Sequence, residues 1–174
     1  MEGLEIPFTV MTYDTDEKLH EDFPVRDAAL HLAERKMDDL LTVCPPDSVI
    51  ITADTTVILH EMLLNKPENE ADAVRMLGML SGNMHEVITG VCITAGDKRI
   101  SFFDVTKVYF RHLSEETIRS YVRKHQPFDK AGAYGIQDKI GYVGIERIEG
   151  CFYNVMGLPV RKVYENLSIL MESI

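Results

Sequence analysis

Residues 48–59, SVIITADTTVIL, set a run of β-branched side chains (Val49, Ile50, Ile51, Thr52, Thr55, Thr56, Val57) around one carboxylate, Asp54. Branching at Cβ suits a pleated, half-buried surface, so the run predicts a strand. A carboxylate inside a buried strand costs several kcal/mol unless something compensates its charge. Asp54 therefore lies where the strand opens onto solvent, or it has a partner. A bound metal ion is one such partner.

The elements on either side of this strand set the fold class. Residues 6–12 (IPFTVMT) read as a strand, followed by the acidic loop TDEKLHED. Residues 24–43 read as a helix that CPPD breaks. NKPENE is a turn, and residues 70–80 form a helix that Asn69 can cap and Gly82 can stop. Residues 86–94 and 99–110 are apolar strands joined through AGDK, a hairpin signal. Ser114 can cap a helix over 115–124, AGAYGIQ is a glycine-rich loop, 141–148 reads as a short strand, and a helix starts near Pro159. Strands interleave with helices and at least one hairpin is present, which predicts a mixed α/β sheet with flanking helices.

The 174 residues suffice for a single domain, 1–174, with a real core. Three well-separated cysteines, Cys44, Cys92 and Cys151, give neither a disulfide framework nor a CxxC zinc site. They read as reduced thiols of a cytoplasmic protein. No apolar run approaches the ~20 residues of a membrane-spanning helix, and MEGLEIPF has no signal-peptide pattern. With 18 basic against 28 acidic residues, the net charge of −10 argues against broad binding to nucleic acid polymers or anionic membranes. A small anion needs only a few local cations, or a divalent metal that carboxylates hold against its phosphates.

Several residues stand out from the pattern. At 100° per residue, Ala29, Leu32, Ala33, Met37 and Leu40 form one apolar helix stripe, and Lys36 falls near its centre. Either Lys36 snorkels to the surface or that helix face borders a polar cleft. Lys66 precedes Pro67 and is therefore held extended. DKAGAYGIQDK, residues 129–139, has glycines that let backbone approach a ligand, and Gln137 offers both an amide donor and an acceptor. Taken alone it is equally a tight structural crossover. His85–Glu86 lacks the second histidine of a zincin, so His85 reads as a packed or capping residue. There is no Gly-x-Ser-x-Gly elbow for a serine nucleophile.

Together the stretches GLEIPF, DTDE, ITADTTV, NKPENEADAVRMLGMLSGNMHEVITGV, DKAGAYGIQ and IEGCFYNVMGLP resemble, in order and spacing, the Maf family of septum-formation-inhibitor-like nucleotide pyrophosphatases. The resemblance covers nearly the whole chain. It implies a two-lobed mixed α/β fold of the inosine-triphosphate-pyrophosphatase type. It also implies hydrolysis of a nucleoside triphosphate to monophosphate and pyrophosphate with a divalent metal, Mg²⁺ or Mn²⁺. Asp54 matches the family's proton acceptor, standing at an exposed strand end. Lys36 and Lys66 match phosphate-contacting lysines, and Glu17 an acidic residue that would share the metal with Asp54. Thr55 and Gln137 match positions linked to nucleotide choice. AGAYGIQ resembles the branch acting on dTTP and UTP. A homodimer is compatible with the resemblance. The family pattern normally opens with an apolar strand and a Ser-x-Ser-Pro-Arg-Arg turn ahead of the segment matching GLEIPF. That turn has no counterpart in these residues, so the alternative expectation is a catalytically impaired nucleotide-binding protein of the same fold.

Overall fold

The computed structural model describes residues 1–172. Five strands, β1 (Val49–Leu59), β2 (Met62–Leu64), β3 (Met84–Ala95), β4 (Lys98–Phe110) and β5 (Ile145–Glu149), form one sheet in the order β2-β1-β3-β4-β5. All four pairings are antiparallel. The helices are α1 (Ala28–Leu41), α2 (Glu70–Leu80), α3 (Glu115–His125), α4 (Lys139–Gly144), α5 (Phe152–Val155) and α6 (Val160–Glu172). The expected mixed α/β architecture is what forms. β3 and β4 make the expected hairpin, with Ala95 paired to Lys98 and Gly96 at φ +57° in the two-residue turn.

The strand quoted above organises both faces of this sheet through its two-residue period. Its even positions face α1. Ile50 packs with Met37 and Cys92, Ile58 with Ala29, and Thr52 Oγ1 donates to the Ala33 carbonyl at 2.7 Å. Its odd positions face the other helical layer. Ile51 and Ala53 meet Val163 and Leu170 of α6, while Val57 and Leu59 join Leu77 and Leu80 of α2. α1 lies unusually close to the sheet because β3 carries Gly90 directly opposite Asp54. A Cβ on Gly90 would fall 2.3 Å from the Leu30 Cα. The expected helix starts are also in place. Asn69 accepts from the Asp72 N–H and Ser114 from the Thr117 N–H.

Two expectations need correction. Residues 6–12 are not a strand but irregular chain that lines an apolar groove with Val49, Ile51 and Ala53 of β1. Propensity alone does not make a strand. Pro7 has no N–H to offer a ladder, and Val10 is left 77% exposed. Residues 141–148 divide: Lys139–Gly144 turn as α4, and only β5 extends. The Gly141 N–H bonds back to the Asp138 carbonyl at 2.9 Å, and a Cβ there would lie 1.8 Å from the Ile136 oxygen. The chain thus coils too tightly at this point for a strand.

The helix expected over 24–43 is shorter, because residues 24–27 form a turn closed by the Asp27 N–H on the Pro24 carbonyl. Cys44, Cys92 and Cys151 are free thiols. Among the described residues no helix is long and apolar enough to cross a membrane.

Candidate active site

β2 pairs only with Val57–Leu59, so the outer edge of β1 is bare of strand from Asp54 to Thr56. Two cavities, of about 260 and 560 Å³, meet at this edge and share Asp54, Thr55, Lys66 and Ala131. Because neighbouring strand residues point to opposite faces, Asp54 serves the α1 side and Thr55 the other.

On the α1 side, Lys36 reaches Asp54 Oδ1 at 2.5 Å and Glu17 Oε1 at 2.8 Å. Lys66 stands 3.3 Å from Glu17 Oε2. Lys36 therefore does not snorkel: its side chain is 25% exposed and turned inward to a carboxylate that is 13% exposed. Asp54 is not at an exposed strand end, as expected from the sequence, but in mid-strand. What opens it to the cleft is the early end of β2. This resolves the anomaly of a carboxylate among β-branched residues, since its partner is an ammonium from the helix packed above it.

Burial raises the Asp54 carboxyl above its ordinary range, assisted by the Glu17 charge and only partly offset by Lys36. The hydrogen bond from Lys36 holds the Glu17 carboxyl below its usual value. Burial pulls the Lys36 ammonium down, but its bonds to Asp54 and Glu17 outweigh this and leave it raised.

Glu17 and Asp54 are also the side chains that could hold a divalent cation. Among the described residues no group of three His, Cys, Asp or Glu side chains is placed to do so alone. Both carboxylates meet at Lys36, and oxygen donors of this kind are what hard divalent cations take.

On the opposite side, Thr55, Gln137, Gly135, Tyr134, Met156 and Gly157 line the smaller cavity. The glycine loop is tied down from behind. Tyr121 Oη donates to Asp138 Oδ2 at 2.9 Å and accepts from the Gly135 N–H at 3.3 Å. His85 Nε2 pairs with the Tyr134 hydroxyl at 2.7 Å. Burial pushes His85 down to about 3, so it is a neutral packing residue, as expected. Gln137 itself is exposed at the cavity rim.

The model of Maf-like proteins matches residues 1–170 of this chain. The chain belongs to the Maf family. Among its relatives, a dTTP/UTP pyrophosphatase of Bacteroides thetaiotaomicron is 45% identical over 98% of this chain and 89% of its own length. That of Parabacteroides distasonis is 43% identical over 96% and 87%. That of Cytophaga hutchinsonii is 57% identical over a shorter stretch, 70% of this chain and 56% of its own.

The Maf residues expected from the sequence thus fall into two groups. Asp54, Lys36, Lys66 and Glu17 form one cluster, and Thr55 and Gln137 border the second cavity. Sequence reasoning missed the supports behind this candidate site. These are Tyr121 and Asp138 behind the loop, and Thr89 and Asn154 behind Thr55. Asp138 follows Gln137 directly and was legible as a polar residue in an apolar, glycine-rich stretch. Thr89, in a β-rich run, carries no signal that separates it from an ordinary strand threonine.

Proposed function

We propose that this protein hydrolyses dTTP and UTP to the monophosphate and pyrophosphate. The observation that carries the reading is Asp54, a largely buried carboxylate bonded to Lys36, with the Glu17–Lys66 pair next to it and a second cavity with an amide at its rim beside it. The substrate preference is that in the names of the relatives.

The phosphates lie on the α1 side, where Lys36 and Lys66 oppose their charge, and the base lies on the Thr55–Gln137 side. Incoming phosphate oxygens compete with Asp54 and Glu17 for Lys36. As Lys36 turns to phosphate, Asp54 loses its counter-charge and becomes a stronger base. Asp54 then accepts a proton from the water that attacks the α-phosphorus. The bond from that phosphorus to the oxygen bridging it to the β-phosphorus breaks, and pyrophosphate leaves with its charge opposed by the lysines. A divalent ion held by Glu17 and Asp54 would supply further neutralisation of the phosphates and acidify bound water.

The test is hydrolysis of UTP and dTTP in ¹⁸O-water with Mg²⁺ present. We expect pyrophosphate as product, label in the monophosphate, and a loss of at least about 10³ in kcat for Asp54→Asn with the fold retained. Label confined to pyrophosphate, or turnover of Asp54→Asn within a few-fold of the parent, refutes the assignment.

A further inference from the structure

Behind Thr55 runs a buried chain of hydrogen bonds. The Thr55 and Thr89 hydroxyl oxygens are 2.8 Å apart. Thr89 Oγ1 is 3.0 Å from the Asn154 carbonyl oxygen, which can only accept. Thr89 is fully buried, so bulk water does not complete its bonding. Each hydroxyl has one proton. If Thr89 donates to Asn154, Thr55 donates to Thr89 and both bonds are made. If Thr89 donates to Thr55 instead, two oxygens face each other at 3.0 Å with no proton between them. The first arrangement wins by a full hydrogen bond and by relief of that repulsion.

Asn154 is in turn locked. Its Nδ2 donates to the Val87 carbonyl and to Thr106 Oγ1, both at 3.0 Å, and its side chain is fully buried. Thr55 therefore spends its proton inward and presents only lone pairs to the cavity. Gln137 cannot impose such a direction. Its exposed amide carries both a donor and an acceptor end.

We propose that Thr89 and Asn154 are positioning residues that fix Thr55 as a hydrogen-bond acceptor, and that this selects a base with an imide N–H, as in uracil and thymine. Cytosine, with a bare ring nitrogen at the same place, meets lone pair with lone pair. The inference rests on the pyrophosphatase reading above and deepens it.

The experiment measures pyrophosphate release by the full chain from UTP and from CTP, whose ring nitrogen at the imide position carries no proton. The parent favours UTP by about 10-fold in kcat/KM. In Thr89→Val, a change of the same shape that removes the acceptor, Thr55 is free to turn its proton to the bare ring nitrogen, so kcat/KM for CTP rises toward that for UTP and the ratio falls. Thr89→Ser restores the parent ratio. Thr89→Ala, which cannot overfill the site, reads the same ratio if the valine variant fails to fold. A purely structural role for Thr89 lowers both substrates equally, and an unchanged ratio in the valine or alanine variant overturns the relay. A parent that releases no pyrophosphate from UTP defeats the pyrophosphatase reading itself.

Discussion

Replacing Lys36 by methionine removes the charge at the centre of the cluster while keeping the length of the side chain. Lys36 lies 2.5 Å from Asp54 and 2.8 Å from Glu17. A cation so placed lowers a carboxyl pKa by about 1–3 units. Its loss leaves the burial that already raises Asp54 unopposed except by the more distant Lys66. The acid limb of the kcat/KM profile, which reports the free enzyme's base, should therefore move up by about 1–3 pH units in Lys36→Met. The plateau falls as well, because one cation facing the phosphates is gone.

The same change must appear in stability. Folded Asp54 already has a pKa above its unfolded value, so its ionisation weakens the fold as pH rises. Lys36→Met raises the folded value further. Parent and variant then differ least well below the parent's folded pKa, where Asp54 is protonated in both. The gap opens as pH rises and is complete above the variant's folded pKa. At about 1.4 kcal/mol per unit it amounts to roughly 1.4–4 kcal/mol. For a chain of this size that is about 3–15 °C in Tm. Thermal unfolding of both proteins from pH 4 to 8 measures it. Adding Asp54→Asn to Lys36→Met should remove the part of the gap that opens as Asp54 ionises, and leave only the part at the acid end from Glu17, whose carboxyl Lys36 also holds down. An acid limb that stays in place, together with a Tm gap independent of pH, would refute the pairing of Lys36 with Asp54.

Two further substitutions test how the site is held. Gly90→Ala forces a methyl to within 2.3 Å of the α1 backbone and must push that helix off the sheet. We expect a loss of about 1–3 kcal/mol from overpacking and a lower kcat, read by denaturant unfolding and turnover. An unchanged midpoint would mean that α1 does not lie as close as described. Tyr121→Phe leaves Asp138 and the Gly135 N–H without their shared partner, at a cost of about 1–3 kcal/mol. Its KM for UTP should rise more than its kcat falls, and equal kinetics would show that the glycine loop is held by other contacts.

Much of this arrangement was legible from residue types. The strand around Asp54, the AGDK hairpin, and the caps at Asn69 and Ser114 all follow from local chemistry, and all are present. Lys36 announced itself as a charge on an apolar stripe, and the question it posed has a local answer in Asp54. What stayed hidden depends on contacts between distant parts of the chain. The state of residues 6–12 is decided by whether a neighbouring backbone pairs with them, which their composition does not contain. The helical turn at 139–144 follows from the close approach of Gly141 to Ile136. The relay behind Thr55 joins residues 34 and 65 positions apart along the chain, so no window on the sequence holds it.

One property of β-strands explains why the proposed recognition and chemistry would meet here. Asp54 and Thr55 are adjacent in sequence, so their side chains leave β1 on opposite faces. A neighbouring strand would cover this edge and separate the two cavities. β2 ends at Leu64, opposite Val57, the edge stays open, and a single ligand can pass from one face to the other. Under the proposed reaction, a nucleotide seated across the edge would have its base fixed by Thr55, next to the proposed base Asp54. The backbone between those two residues has no freedom to shift, because Gly90 and Thr89 of β3 pair with both. A displacement of the base is therefore passed on to the α-phosphorus, where an error of ~1 Å in approach can cost as much as 10²-fold in rate. A base that fits poorly at Thr55 should accordingly be penalised in kcat as well as in binding.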